Sequence, residues 1–153
     1  IRYPRGCGVK EEWQCPLEKV EPGTGRKLKD GDDVAVLTLG PIGNDVAEAI
    51  AETEGSGAST KTAAHYDMRF VKPLDEKLLD EIGKKYKEIV TVEDGARNGG
   101  FGSAVMEWLQ DHGYTTRVKR MGLPDHFVEH GTIAELREII GMDKASIINT
   151  IYK

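Results

Sequence analysis

From Val34 onward the chain alternates short apolar runs with segments of helical periodicity, and this alternation constrains its fold more than any other feature. The first apolar run, Val34–Leu39, is closed by a Gly-Pro pair, and similar runs follow at Ala63–Met68, Ile89–Val92 and Arg117–Met121. Apolar runs of this length, bounded by turn residues, are typical of buried strands. The last run is less apolar, so we expect it nearer a sheet edge.

Helical segments lie between these runs and after the last one. Pro73 and Asp75 are typical of a helix start, and Thr132 occupies an N-cap position. Between the first helix and the second strand, Glu54–Thr60 is rich in Gly and Ser and predicts a surface loop. The residues that recur at helical spacing are Val46, Ala49 and Ile50; Leu78, Leu79, Ile82 and Tyr86; Val105, Trp108, Leu109 and His112; Ile133, Leu136, Ile139 and Ile140; and Ile147, Ile148 and Ile151. Four alternations of strand and helix predict an α/β fold, with a mostly parallel sheet and helices on both faces.

Residues 1–33 lack this periodicity. They carry seven Lys/Arg against seven Asp/Glu and three of the six prolines, so we interpret them as a connector. The net charge of −5 and the absence of a long basic stretch argue against a nucleic-acid partner. No apolar run approaches the ~20 residues of a membrane span. A length of 153 residues suits one domain, and a start at Ile1 rather than Met suggests a piece of a longer protein.

The two cysteines, Cys7 and Cys15, are eight positions apart. This spacing matches no common zinc pattern, and a structural zinc site would need two more ligands nearby. A disulfide would close a small loop, but nothing in the sequence indicates an oxidising compartment. Reduced thiols in a cytoplasmic protein are therefore the favoured interpretation.

Two motifs suggest binding chemistry but have simpler explanations. Gly99–Gly102 lies between a strand and a helix, where helix N–H groups can hold a phosphate; close packing of that helix on the sheet is the favoured alternative. His126–His130 (HFVEH) matches the H-x-x-E-H pattern of zinc hydrolases. Pro124 precedes that motif and Gly131 ends it, which leaves room for barely one helical turn, so we interpret the segment as a lead-in to the next helix.

Charged side chains follow the second and third predicted strands. Ligands of open α/β sheets gather beyond the carboxyl ends of the strands, so these side chains are placed for a site. Exposed ion pairs of little consequence are the alternative. The two clusters consist of Asp67, Arg69, Lys72 and Asp75, and of Glu93, Asp94 and Arg97.

The first six residues, Ile1–Gly6 (IRYPRG), form a stiff polar segment. Pro4 fixes its own φ and pushes Tyr3 toward an extended conformation. A guanidinium on so stiff a backbone suits bidentate capture of a phosphate or carboxylate, and Arg5 is the candidate. Pairing of this arginine across a domain junction is an equally good explanation.

Several segments together resemble the C-terminal part of the 1-deoxy-D-xylulose-5-phosphate synthase family. They occur in order along the whole chain, and the first and last are the most specific. The segments are 1–6 (IRYPRG), 67–75 (DMRFVKPLD), 90–94 (VTVED), 99–105 (GGFGSAV) and 122–131 (GLPDHFVEHG). The resemblance implies a transketolase C-terminal-like domain, a three-layer αβα sandwich around a mostly parallel, mixed sheet of about five strands. Residues 1–25 would be the tail of the preceding domain and a linker, and residues 26–153 the domain itself.

The resemblance also implies what the whole enzyme does. Enzymes of this family are homodimers that condense pyruvate with D-glyceraldehyde 3-phosphate and release CO2, and they serve isoprenoid and thiamine biosynthesis. Thiamine diphosphate and Mg²⁺ would be bound by domains that precede this one. Arg5 matches a family ligand for the substrate phosphate, whereas no catalytic, cofactor-binding or metal-binding residue is expected here. The fragment would be inactive alone and located in a bacterial cytoplasm.

The two alternatives to this family are a related thiamine enzyme and a zinc hydrolase. The chain could be the assembly domain of a related thiamine enzyme, either a transketolase or the β subunit of a 2-oxoacid dehydrogenase E1 component. Segments 1–6 and 122–131 argue against that alternative. A zinc hydrolase built on His126 and His130 would require bound zinc.

Overall fold

The computed structural model describes Gly8, Pro16 and residues 18–153. This part of the chain contains ten regular elements. The strands are β1 (Arg26–Lys29), β2 (Val34–Leu39), β3 (Ala63–Asp67), β4 (Glu88–Ala96) and β5 (Arg117–Leu123). The helices are α1 (Ile42–Gly55), α2 (Glu76–Lys85), α3 (Phe101–Asp111), α4 (Ile133–Ile139) and α5 (Lys144–Tyr152).

The five strands form one mixed sheet in the order β1-β3-β2-β4-β5. β2 pairs in parallel with both β3 and β4, β4 pairs in parallel with β5, and only β1 runs antiparallel to its neighbour. Thr38 is in register with both Asp67 and Val92, so the carboxyl ends of β2, β3 and β4 meet at one edge. The less apolar β5 lies at the outside of the sheet, as predicted.

The helices cover both faces of the sheet. On one face α1 and α5 bury Ile50 and Ile147 together with alternate residues of the strands, such as Val36. On the other face α2 and α3 bury Leu79 and Phe101. Because successive strand residues point to opposite faces, β2 contributes to both cores. The architecture is the predicted three-layer αβα sandwich.

Two predictions from periodicity were wrong. β1 lies within the segment interpreted as a connector: its sequence RKLK has no apolar pattern because this edge strand is largely exposed. The predicted loop at Glu54–Thr60 also starts too early, because α1 continues through Gly55. The Glu54 carboxylate accepts the Ala63 N–H at 2.9 Å and pairs with Lys29 at 2.7 Å, which ties the end of α1 to the sheet.

The predicted helix starts are confirmed. Asp75 caps α2 by accepting the Leu78 N–H at 3.0 Å, and Thr132 forms a capping box with Glu135 at the start of α4. Within the described part of the chain, no helix has the length and apolar character needed to cross a membrane.

Candidate functional site

A cavity of about 740 Å³ opens at the carboxyl edge of the sheet. Its floor is formed by the turn after β2, at Leu39–Pro41, and by the end of β4, at Glu93–Ala96. These two neighbouring strands are followed by connections to opposite sides of the sheet, β2 toward β3 and β4 toward β5. In open α/β sheets, a crevice at such a switch point is where ligands usually bind. The walls are mainly apolar.

The Glu93 carboxylate occupies the place that an anionic ligand would take at α3. It is 3% exposed and accepts the N–H groups of Phe101 and Gly102, both at 2.9 Å. The N-terminus of a helix carries a partial positive charge that favours an anion, and here the protein supplies that anion itself.

Asp94 plays the same part at the neighbouring helix. Its Oδ2 accepts the Ile42 N–H at 3.1 Å, at the start of α1. On its other side lies Arg137 of α4, whose guanidinium is 3.9 Å from Asp94 Oδ1 and donates to Asp45 at 2.8 Å. Both helix N-termini at the switch point are thus filled by side chains of β4.

The first predicted cluster is also used within the domain. Asp67 pairs with Arg26 at 3.0 Å, and it accepts the Arg69 N–H at 3.2 Å. Arg69 has a φ of 57°, an unusual value for a residue other than glycine, and its side chain lines the cavity. Asp75 accepts the Gly25 N–H at 2.8 Å in addition to capping α2. The structure therefore brings the acidic residues and Arg69 of the two clusters to one edge, but as helix caps and ion pairs, whereas Lys72 and Arg97 are exposed.

The glycine-rich turn is explained by close packing, the favoured interpretation. A Cβ on Gly100 would overlap the Ala96 carbonyl oxygen, and one on Gly102 would overlap Thr91 Oγ1. Glycine is required here because α3 starts directly against β4 and Glu93.

The residues of the HFVEH motif do not form a helix. His126 and His130 are exposed and lie in irregular structure between β5 and α4. Among the residues that the structure describes, no three His, Cys, Asp or Glu side chains are grouped to hold a metal ion. The N-termini of α1 and α3, where a phosphate group could otherwise bind, are occupied by the Asp94 and Glu93 carboxylates.

His65 is a buried titratable residue that the sequence did not single out. It is 2% exposed, and its Nε2 lies 3.0 Å from Thr38 Oγ1. Burial lowers the pKa of His65 from its usual 6.5 to about 4, against the attraction of Asp67. α1 approaches this pair so closely that a Cβ on Gly43 would lie 3.0 Å from Thr38 Oγ1. Alternation within Ala63–Met68 could have shown that His65 faces a core.

Arg5, the one predicted ligand residue, lies outside the described residues, as do Arg2, Tyr3 and both cysteines, Cys7 and Cys15. Their assignments stay predictions. The phosphate-binding role of Arg5 therefore rests on sequence alone.

The protein is an α/β domain with a mixed five-stranded sheet and helices on both faces. At the carboxyl edge of the sheet, its own carboxylates cap the N-termini of α1 and α3. The family described as "Transketolase, C-terminal domain" matches residues 23–147. The chain belongs to this family.

Curated relatives are similar along the whole chain. A protein of Bacteroides thetaiotaomicron named 1-deoxy-D-xylulose-5-phosphate synthase is 55% identical over 153 residues, which are 100% of this chain and 23% of the relative. A protein of the same name from a Geobacillus species is 40% identical over 152 residues, 99% of this chain and 24% of the relative. The chain thus spans about a quarter of the length of these relatives and matches their C-terminal region.

Solved structures show the same fold. A split-gene transketolase, described as an inactive β4 tetramer, superposes with a TM-score of 0.77 at 32% identity and covers 89% of this chain and 45% of its own. A transketolase of Pichia stipitis superposes with a TM-score of 0.58 at 17% identity, covering 84% of this chain and 17% of its own. The latter likeness concerns the fold alone.

Proposed function

We propose that this chain is the C-terminal domain of a 1-deoxy-D-xylulose-5-phosphate synthase. The observation that carries the proposal is the 55% identity to such a protein over all 153 residues. The split-gene transketolase, at 32% identity, supports the alternative of a different thiamine enzyme less well. The whole enzyme would be cytoplasmic and homodimeric and would condense pyruvate with D-glyceraldehyde 3-phosphate, releasing CO2.

The chemistry would reside in domains that precede this one. Thiamine diphosphate and Mg²⁺, which supply the carbanion chemistry of such enzymes, would be held there, because the carboxyl edge described above offers them no free helix N-terminus. Residues 1–25 would be the tail of the preceding domain and a linker, and residues 26–153 would form this domain. Its roles would be assembly and one substrate contact.

That contact is Arg5, which would bind the phosphate of the aldehyde substrate. A hydrogen bond to a charged group is worth about 1.5–3 kcal/mol, so Arg5→Ala in the full-length enzyme should raise KM for the aldehyde roughly 10- to 150-fold. Arg2→Ala is the matched control, since Arg2 belongs to the same segment but is assigned no ligand role. An unchanged KM in Arg5→Ala would show that the assignment is wrong.

The proposal that catalysis resides in the preceding domains is tested separately. Pyruvate, D-glyceraldehyde 3-phosphate, thiamine diphosphate and Mg²⁺ are mixed with residues 1–153 alone or with the full-length protein, and CO2 is measured. We expect release only from the full-length protein. Turnover by residues 1–153 alone would disprove this proposal, and an inactive full-length protein would disprove the proposed activity.

A further inference from the structure

The carboxyl edge of the sheet carries an unusual share of exposed apolar side chains. Phe127 is fully exposed, Ile133 is 67% exposed, and Leu123 and Val71 are 43% and 44% exposed. Val71, Leu123 and Ile133 line the 740 Å³ cavity, and Phe127 lies in the connection between two of them. Exposed apolar patches of this kind mark surfaces that another part of an assembly covers.

α4 lies at this edge and contributes no residue to either buried core. None of its residues is buried in the domain, although Ile133 and Leu136 line the cavity. Arg137 connects α4 to α1 through a 2.8 Å ion pair with Asp45. A short helix with apolar side chains and no buried residue is stabilised mainly by what packs against it.

The charges at the cavity do not favour an ionic partner. The two arginines that line it, Arg69 and Arg137, are balanced by Glu93 and Asp94. The helix N-termini are already capped by these two carboxylates. An uncharged, apolar protein surface is the partner that such a neutral, apolar edge can bury without leaving charges unpaired.

The course of the chain indicates which part of the protein supplies that surface. β1 is antiparallel to β3, and its first residue, Arg26, pairs with Asp67 at the carboxyl end of β3. The residues just before it follow the same edge: Gly25 donates to Asp75, and a Cβ on Gly23 would lie 2.8 Å from Pro73. The polypeptide therefore enters the domain at the carboxyl edge, beside the loop that carries Val71.

We propose that this carboxyl edge, with Val71, Leu123, Phe127 and α4, is the surface on which the domains that precede residue 1 in the same polypeptide pack. The proposal rests on the proposed function in one respect, the presence of preceding domains, because this chain covers 23% of the length of a relative. The cavity at the carboxyl edge would then be part of an interface between domains rather than a ligand site.

Photocrosslinking in the full-length protein tests this placement. Phe127 is replaced by p-benzoylphenylalanine, the protein is irradiated, and the crosslinked peptides are identified by mass spectrometry. The fold should tolerate this change because the Phe127 side chain is fully exposed in the domain. A second probe at Ile133 tests the same surface. Met106 of α3, which is 40% exposed but does not line the cavity, is the control position.

We expect the probes at 127 and 133 to crosslink to peptides of the domains that precede residue 1, several-fold more than the probe at 106 does. A mixture of ¹⁴N- and ¹⁵N-labelled protein shows whether both peptides come from one chain. Crosslinks to a second copy, or yields no higher than at 106, would overturn the proposal. CO2 release by the same preparations separates the proposed docking surface from the proposed activity. An active enzyme that lacks the crosslinks refutes only the docking surface. An inactive protein that forms the crosslinks refutes only the activity.

Discussion

His65 should make the stability of this domain depend on pH in a defined window. His65 belongs to β3 and is 2% exposed; its side chain contacts Thr38 of β2 and lies close to the start of α1. Burial lowers its pKa to about 4 in the folded protein, whereas the unfolded chain should titrate near 6.5. Between these values the unfolded state binds more protons than the folded state, so acid favours unfolding.

The magnitude follows from the two pKa values. A tenfold change in proton affinity is worth about 1.4 kcal/mol, so a pKa of about 4 instead of 6.5 corresponds to about 3 kcal/mol. The loss should begin as the pH falls through 6.5 and be complete below pH 4. For a domain with about 5–15 kcal/mol of stability, this is a large fraction of the total.

Urea denaturation of residues 1–153 at a series of pH values measures this loss. The carboxylates also titrate in this range, so the comparison is made with His65→Gln, whose amide can still bond to Thr38 but does not ionise. The difference in unfolding free energy between the wild type and His65→Gln should change by about 3 kcal/mol between pH 7 and pH 3.5, to the disadvantage of the wild type. A difference that stays constant over this range would refute the reasoning.

Two further predictions concern the carboxyl edge, and both are measured as unfolding free energies in urea. Glu93→Gln would turn an amide group toward one of the two N–H donors at the start of α3 and should lower the unfolding free energy by about 1–3 kcal/mol. The control Glu138→Gln, at an exposed position of α4, should leave the unfolding free energy unchanged. Equal effects of the two changes would contradict the capping role. Gly100→Ala should lower the unfolding free energy by about 1–3 kcal/mol or more, because its Cβ would overlap the Ala96 carbonyl oxygen. The control Gly55→Ala has open space around its Cβ and should leave the unfolding free energy unchanged. A Gly100→Ala protein as stable as the wild type would show that α3 can move away from β4.

The strands and helices that bury one or both faces could be predicted from the sequence, because burial imposes a pattern on their residues. β2 and β4 are examples: their apolar residues face both cores. β1 could not be predicted in this way, because an exposed edge strand pairs through its backbone and its side chains RKLK need no pattern. Its partner β3 is about 40 residues away along the chain, and short-range patterns carry no information about such pairing.

Prediction of the candidate site from the sequence is limited in the same way. The sequence places Glu93 and Asp94 just after a strand; β4 in fact continues to Ala96 and includes both, and the sequence cannot show what they bind. Their partners are N–H groups of Phe101 and Gly102, eight and nine residues away, and of Ile42, which is 52 residues away. Which donor each carboxylate meets depends on where α1 and α3 start on the sheet, and that is fixed by packing.

The capped helix N-termini also bear on where a substrate phosphate can bind. To occupy the start of α3, a phosphate would have to displace the Glu93 carboxylate, which is 3% exposed and holds two N–H groups. The displaced Glu93 carboxylate would remain next to the bound phosphate. Two negative charges in close proximity repel each other strongly in a partly buried site. A phosphate contact is therefore more favourable at an arginine side chain than at these helix N-termini, and Arg5 is the arginine proposed for it. The crevice itself is left with apolar walls and balanced charges, and these suit a protein surface better than an anion.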